Sequence, residues 1–285
     1  MGIETRTLTA SDGRTLRLHD AGTRGQGPSL PVFWHHGTPG IGEPPAPLLA
    51  LADELGMRLL GLDRPGYGGS ERLPGRRIGE IADDVADAAD ALGFDRYGVL
   101  GYSGGGPHAL ACAASDPRVV AVVSVAGMAP RAADGLDWYD GMIASGRRVL
   151  GAAEQGEQQR RAAEDEGYDP EFLFPDLAAL DGPWEWLGRI ASACGPDDLD
   201  GAVDDDLAYV HEWGVEPTAI EAPVLLIHGE ADRIVPVGHA HWLDSALREA
   251  EVDVELRVID GAGHISVLGL ADEGLRWIAR VAARG

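Results

Sequence analysis

Short runs of apolar residues alternate along this chain with longer stretches in which apolar residues recur at helical spacing. The run 119–126 is almost entirely valine and alanine, which is typical of a central parallel strand covered on both faces. Between Ile78 and Leu92, apolar residues recur every three or four positions with Asp and Glu between them, as in an amphipathic helix. This alternation predicts an α/β fold: a mostly parallel sheet flanked by helices.

The predicted elements follow one another in a regular order. The first two strands, 3–9 and 14–19, flank Asp12-Gly13, a pair that favours a tight hairpin turn. Further strands are predicted at 30–35, 58–62, 97–102, 119–126, 223–228 and 252–259. Helices are predicted at 44–55, 78–92, 106–115, 239–250 and 267–283. The sheet is therefore predicted to have eight strands.

The stretch from Arg131 to Ala219 interrupts this alternation. It has helical patches, several Pro and Gly and no clear strand, and it holds 21 Asp and Glu against 6 Arg. We therefore predict a sheet domain made of 1–130 and 220–285, and a helical cap of 131–219 packed over one edge of the sheet. The acidic run 204–206 inside the cap is predicted to be a solvated surface.

The charge of the chain excludes several classes of function. The formal net charge is −24, which argues against nucleic acid or an anionic membrane as a partner. All 23 basic residues are arginine, so no Schiff-base lysine, Ser–Lys dyad or P-loop lysine is available. The two cysteines, Cys112 and Cys194, form neither a disulfide framework nor a metal-binding spacing, and we expect buried free thiols.

The N-terminal segment, Met1 to Asp20, is polar and alternating, without the apolar stretch of a signal peptide. No apolar run in the chain approaches the length needed to span a membrane. We therefore expect a soluble, cytoplasmic protein that acts on a small molecule, as a monomer or a homodimer.

Glycines surround Ser103 in the segment GYSGGG, where a strand is predicted to turn into a helix. A sharp turn of this kind leaves room only for very small side chains two residues before and two after the serine, as in Gly-x-Ser-x-Gly. The turn exposes the hydroxyl at the carboxyl edge of the sheet. It also aims the first amides of the helix, which lack helical partners, at the same point. Ser103 is therefore a candidate nucleophile.

A serine of this type needs a base, usually a histidine that a carboxylate orients. In this architecture the order along the chain is serine, acid, histidine. Asp232 follows the strand 223–228, and His264 follows the strand 252–259, so both are predicted at the carboxyl edge of the sheet. Glu230 lies close to Asp232 in the sequence and is an alternative for the acid.

Five segments together resemble the α/β-hydrolase fold family, in the branch with a helical cap between the sixth and seventh strands. They are HHGTPG at 35–40, DRPGYGGS at 63–70, GYSGGG at 101–106, HGEADRIVP at 228–236 and GAGHIS at 261–266. The resemblance covers the chain outside the cap. It implies a serine hydrolase with Ser103 as nucleophile, His264 as general base and acid, and Asp232 as the group that orients His264.

The resemblance also implies further roles near the serine. The amides of Thr38 and Gly104 would be the two oxyanion donors, and His36 would brace the oxyanion loop. A serine at position 103 argues against epoxide hydrolases and haloalkane dehalogenases, which carry Asp there. The mechanism needs no metal and no organic cofactor. His239 and His241 are predicted to be exposed rather than metal ligands.

The most favoured function is hydrolysis of a carboxylic ester of a small to medium, largely apolar molecule. The candidate pocket residues are His35, Tyr102, Trp138, Trp184, Trp186 and Trp213. Three alternatives stay open. The first is an aminopeptidase resembling the prolyl iminopeptidases, in which cap carboxylates hold the substrate amine. The second is a carbon–carbon bond hydrolase or perhydrolase with the same triad, and the third is a non-catalytic ligand-binding protein.

Overall fold

An eight-stranded sheet forms the centre of the computed structural model, which describes residues 2–23, 29–194 and 199–284. The strands are β1 (Glu4–Thr9), β2 (Thr15–Asp20), β3 (Leu30–His35), β4 (Met57–Leu62), β5 (Tyr97–Tyr102), β6 (Val119–Val125), β7 (Val224–Gly229) and β8 (Val254–Ile259). All eight predicted strands are confirmed, with their ends moved by at most two residues. The strand β8 begins at Val254, two residues later than predicted, because the Val252 amide donates to Leu247 O and so belongs to the end of the preceding helix.

The strands lie in the order β1-β2-β4-β3-β5-β6-β7-β8. β1 pairs with β2, and β2 with β4, in antiparallel fashion, whereas every other neighbouring pair is parallel. Because parallel strands end at the same edge of a sheet, the loops after β3, β5, β7 and β8 meet there. Three of these loops carry the candidate nucleophile, acid and base.

The described helices are α1 (Leu49–Glu54), α2 (Ile81–Leu92), α3 (Gly105–Ser115), α4 (Ala144–Ala153), α5 (Glu157–Ala162), α6 (Phe174–Leu180), α7 (Glu185–Ala193), α8 (Leu199–Val210), α9 (Gly238–Glu249) and α10 (Ala271–Ala282). The helices predicted at 44–55 and 267–283 are each shorter. Each is preceded by a 3₁₀ turn, Ala46–Leu48 in the first case and Ser266–Leu270 in the second.

Both faces of the sheet are covered, as the uninterrupted apolar strands predicted. Along β5, Val99 packs into the cluster that includes Ala109 of α3, whereas the next residue, Leu100, packs on the opposite side with Leu275 of α10. Successive side chains of a strand point to opposite faces, so each central strand contributes to two cores.

Five helices, α4 to α8, lie between β6 and β7, and the described part of this stretch contains no strand. We call residues 131–219 the cap; its boundaries remain a prediction. Within the described ranges, no helix has the length and apolar character that crossing a bilayer requires.

Candidate active site

Ser103 lies at the turn between β5 and α3 in a left-handed backbone conformation, with φ of 53°. Few residues other than glycine adopt this conformation. The turn depends on its glycines: a Cβ at Gly101 would lie 2.2 Å from Gly105 O, and a Cβ at Gly105 would lie 2.0 Å from His35 O. The backbone is thus held in a conformation that projects the serine side chain from the sheet edge.

The side chains of Ser103, His264 and Asp232 form a continuous hydrogen-bonded row. Ser103 Oγ lies 2.8 Å from His264 Nε2, and His264 Nδ1 lies 2.7 Å from Asp232 Oδ2. Because Nδ1–H donates to the carboxylate, Nε2 carries the lone pair and accepts the serine hydroxyl proton. The structure therefore brings together three residues that are far apart in sequence, in the geometry of a hydroxyl activated by a base.

Asp232 is fixed as an ionised acceptor. Its Oδ1 accepts hydrogen bonds from the amides of Ile234 and Val235, both at 2.9 Å, which leaves Oδ2 for the histidine. Burial raises the pKa of Asp232, but the rings of His264 and His228 and the Val235 amide outweigh burial, so the pKa is lowered. Glu230, the alternative acid, is exposed.

The candidate oxyanion loop lies directly against the serine turn. A Cβ at Gly37 would lie 3.5 Å from Ser103 Cβ, and a Cβ at Gly104 would lie 2.5 Å from Thr38 Oγ1. Gly104 precedes α3, so its amide has no partner within the helix. Gly37 and Gly104 thus lie beside the serine, and the amides of Thr38 and Gly104 are candidates for the two oxyanion donors.

His36 occupies the base of this loop. Its Nδ1 donates to Gly37 O at 2.8 Å, and its Nε2 accepts from the Arg64 amide at 3.2 Å. Burial and the nearby Arg64 charge hold the pKa of His36 well below its usual value, so the ring stays neutral. These contacts fit a bracing role for His36.

A cavity of about 610 Å³ opens above Ser103 and His264, with Thr38 and Gly104 in its wall. Much of its lining is apolar, from Trp34, Met128, Met142, Val149, Leu150, Phe172, Leu180, Leu187, Ile190, Ile234, Val235 and Ile265. Two of the predicted pocket residues, Tyr102 and Trp186, line it. Trp34 was missed because a tryptophan inside a buried strand looks like ordinary core.

The other four predicted pocket residues lie elsewhere. His35 is buried against Cys112, and burial together with the Arg64 charge lowers its pKa to about 3. Trp138 donates its indole N–H to Ala129 O, and Trp184 packs edge-on against the Trp186 ring. Trp213 is buried in the apolar core. None of the four borders the cavity above Ser103.

The prediction that 204–206 form a solvated surface is wrong. All three aspartates are buried, and each is paired with arginine. Asp204 pairs with Arg72, Asp205 with Arg64 and Arg76, and Asp206 with Arg160. The residues around them, Gly201–Val203 and Leu207–Val210, are almost all apolar.

His239 is also buried, contrary to the prediction that it is exposed. Its Nδ1 accepts from the Ala129 amide at 3.1 Å, and its Nε2 donates to Trp138 O at 3.0 Å. Burial lowers its pKa to about 4. His241, two residues later, is exposed as predicted.

Asp176 on α6 holds the loop that carries His264, a contact that sequence reasoning missed. Its Oδ1 accepts from the amides of Ile265 and Ser266, at 2.9 and 2.8 Å, and from Ser266 Oγ at 2.9 Å. A Cβ at Gly263 would lie 2.3 Å from the Asp176 carboxylate. The cap therefore holds the loop that carries His264. No sequence pattern indicates this contact, because the two segments are far apart in the chain.

Three charged side chains, Arg160, Glu164 and Asp206, border the cavity. Arg160 lies between the two carboxylates, with Nε 2.5 Å from Asp206 and Nη1 3.0 Å from Glu164. Asp206 therefore faces one cation but two anions, Asp205 and Glu164. Burial and these two negative charges outweigh Arg160 and raise the pKa of Asp206 to about 6.

Asp206→Asn should reveal this raised pKa as a pH-dependent stability difference. Native Asp206 binds its proton more tightly than unfolded Asp206 does, so the resulting stabilisation is complete below the unfolded pKa of 3.8 and disappears above about 6. We expect the unfolding free energy of the wild type, relative to the variant, to fall by about 2 kcal/mol between about pH 4 and pH 7. Denaturant unfolding across this range measures it.

Asp165→Asn is the matched control for that measurement. It removes one negative charge from an exposed position of the cap. The raised pKa would be contradicted if the difference in unfolding free energy between wild type and Asp206→Asn stayed constant with pH, or grew as the pH rises.

Comparison with known proteins supports the fold. A family model described as alpha/beta hydrolase fold matches residues 31–269. Over 280 residues, 90% of this chain and 92% of the relative, the chain is 27% identical to a non-heme chloroperoxidase of Streptomyces lividans. It is 26% identical to a monoacylglycerol lipase of Mycolicibacterium smegmatis, over 73% of this chain and 71% of the lipase. A thermophilic esterase from Thermogutta terrifontis has the same fold, with a TM-score of 0.67 and 22% identity over 99% of both chains.

Proposed function

The chain belongs to the α/β-hydrolase fold family, and on that premise we propose that it is a serine hydrolase that cleaves carboxylic esters through an acyl-serine. The observation that carries the proposal is the row of hydrogen bonds in which Ser103 Oγ, His264 and Asp232 are separated by 2.8 and 2.7 Å. This row ends at an apolar cavity beside two candidate oxyanion amides.

The proposed reaction runs in two halves. His264 Nε2 takes the Ser103 proton as Oγ attacks the ester carbonyl carbon, and the carbonyl oxygen becomes an oxyanion held by the amides of Thr38 and Gly104. The protonated His264 then gives its proton to the departing alkoxide, which leaves as the alcohol. Water, deprotonated by the same nitrogen, attacks the acyl-serine and releases the acid and free Ser103. Asp232 stabilises the transient imidazolium in both halves.

The cavity favours a largely apolar substrate. Its volume of about 610 Å³ suits a small to medium molecule, and its apolar lining suits an alkyl or aryl acyl or alcohol part. An aminopeptidase would need free carboxylates to hold the substrate amine. Asp204 and Asp205 are paired with arginines, and the two carboxylates at the cavity, Asp206 and Glu164, are both paired with Arg160. This pairing favours an ester over an amine-bearing peptide.

A labelling experiment followed by a substrate comparison tests the proposal. A fluorophosphonate is expected to label the protein stoichiometrically, at Ser103 by peptide mapping, and to abolish hydrolysis of p-nitrophenyl butyrate. The rate on p-nitrophenyl esters should exceed the rate on alanine and proline p-nitroanilides. Absence of labelling and of ester hydrolysis would refute the serine hydrolase, whereas faster cleavage of the anilides would support the aminopeptidase instead.

Perhydrolysis is a second candidate activity, favoured by the relative named a non-heme chloroperoxidase. The same acyl-serine would form, and hydrogen peroxide would replace water in the second half, so that the product is a peracid. Following peracid formation from p-nitrophenyl acetate and hydrogen peroxide distinguishes this activity from hydrolysis.

A further inference from the structure

The hydroxyl of Thr38 is fully engaged in hydrogen bonds. It donates its proton to Asp205 Oδ2 at 2.6 Å, and it accepts from Arg64 Nη2 at 3.1 Å. The Tyr209 hydroxyl lies 2.7 Å from Thr38 Oγ1 and 3.1 Å from Gly104 O, and its one proton is shared between these two oxygens. Because a hydroxyl has one proton and two lone pairs, Thr38 has no capacity left for a substrate. Two of its three partners, Asp205 and Tyr209, are on α8 of the cap.

Asp205 is a rigid anchor for this contact. Its carboxylate is completely buried, and it accepts from both Nε and Nη2 of Arg64, from Arg76, and from the Tyr67 hydroxyl at 2.8 Å. Arg64 and Arg76 outweigh the effect of burial and hold the pKa of Asp205 well below its usual value, so the carboxylate stays charged. Such a multiply bonded carboxylate has little freedom to move.

The same network reaches the backbone of the candidate oxyanion loop. Arg64 donates through Nη1 to His36 O and through Nη2 to Gly37 O, at 3.3 Å in the second case. On the other side of the serine, the Tyr209 oxygen lies 3.1 Å from Gly104 O. Helix α8 and Arg64 therefore contact both segments whose amides flank Ser103.

We propose that Asp205 and Tyr209 are positioning residues for the oxyanion hole: by holding the Thr38 hydroxyl, the cap fixes the Thr38 amide relative to Ser103. The inference rests on the proposed function, because it presumes that this amide binds the oxyanion. The contact between the Thr38 hydroxyl and α8 is formed before substrate binds. The cap would thus contribute to the chemical step as well as enclosing the substrate. Displacing the donor removes more stabilisation from the transition state than from the ground state, so the effect falls on kcat.

Thr38→Val tests the proposal, because it keeps the shape and the backbone amide but removes the hydroxyl. We expect kcat for p-nitrophenyl butyrate to fall on the order of ten- to a hundredfold, below the full loss of an oxyanion donor, with KM within about twofold of wild type. Labelling by the fluorophosphonate should slow in parallel, because its phosphoryl oxygen uses the same amides. Thr38→Ser restores the hydroxyl and should recover most of the lost kcat.

Tyr209→Phe gives an independent measurement that keeps the aromatic packing. Loss of the hydroxyl that lies between Thr38 Oγ1 and Gly104 O should lower kcat by about three- to tenfold. Arg72→Gln is the matched control. It breaks the ion pair between Arg72 and Asp204, the residue of α8 next to Asp205, and leaves the contacts of Thr38 in place. It should lower the melting temperature while kcat stays near that of wild type.

The outcomes separate this inference from the proposed function. Wild-type kcat in both Thr38→Val and Tyr209→Phe overturns the inference and leaves the serine hydrolase intact. A loss in Thr38→Val that Thr38→Ser does not reverse, or an equal loss in Arg72→Gln, also overturns it, since the effect would then be general destabilisation. A wild-type protein that neither labels nor hydrolyses esters overturns the proposed function, and the inference falls with it.

Discussion

Ser103→Ala is expected to lower kcat for ester hydrolysis by on the order of 10⁵–10⁶-fold, because no other group at the site can form the acyl intermediate. The Oγ atom removed is the one that lies 2.8 Å from His264 Nε2. The fold should survive, since alanine keeps the Cβ and the backbone conformation with φ of 53° is set by the glycines around it. Hydrolysis of p-nitrophenyl butyrate, with circular dichroism and a melting curve, measures both effects.

Ser115→Ala is the matched control for this variant, because Ser115 is an exposed serine at the far end of the same helix, α3. It should retain wild-type activity and fluorophosphonate labelling, both of which Ser103→Ala loses. Activity in Ser103→Ala above about one thousandth of wild type would show that another nucleophile carries the reaction.

Asp232→Asn is expected to lower kcat on the order of 10⁴-fold without removing any atom from the cavity. The carboxamide oxygen would stay on the amides of Ile234 and Val235, where Oδ1 now accepts two hydrogen bonds, so the NH₂ group would face His264 Nδ1. A donor at that position requires Nδ1 to accept. The proton then moves to Nε2, which donates to Ser103 instead of receiving its proton.

Glu230→Gln is the control that settles the choice of acid. The Glu230 side chain is exposed and lies two residues before Asp232 in the sequence, and its loss should leave kcat unchanged. Stopped-flow measurement of acylation by a p-nitrophenyl ester reports the step directly. The opposite pattern, with Glu230→Gln inactive and Asp232→Asn active, would move the acid to Glu230.

The sheet and the row of Ser103, His264 and Asp232 could be predicted from the sequence because both depend on local signals. Buried parallel strands appear as apolar runs, and the residue that follows such a run lies at the carboxyl edge of the sheet. The glycine pattern at 101–105 reflects backbone segments so close together that a Cβ added at Gly105 would lie 2.0 Å from His35 O, so that only glycine fits. Three residues at three strand ends therefore converge without any knowledge of the cap.

The cap contacts could not be predicted in the same way, because they join segments that share no local pattern. The acidic run 204–206 appears solvated until Arg64, Arg72, Arg76 and Arg160 are placed around it, and three of these arginines come from loops of the sheet domain. Trp138, Trp184 and Trp213, which were predicted to line the pocket and do not, could not be told from Trp186 for a related reason. A large apolar side chain stabilises a core and a cavity wall equally well, so its identity does not determine which one it faces.

Two aspartates of the cap, Asp176 and Asp205, hold loops that belong to the sheet domain. Evolution or engineering that exchanges this insertion for the corresponding segment of another family member would therefore alter more than specificity. A chimaera without both carboxylates would leave the guanidinium groups of Arg64 and Arg76 buried without a counter-ion, and the Ile265 and Ser266 amides without an acceptor. Any cap grafted onto this sheet domain should therefore keep both aspartates.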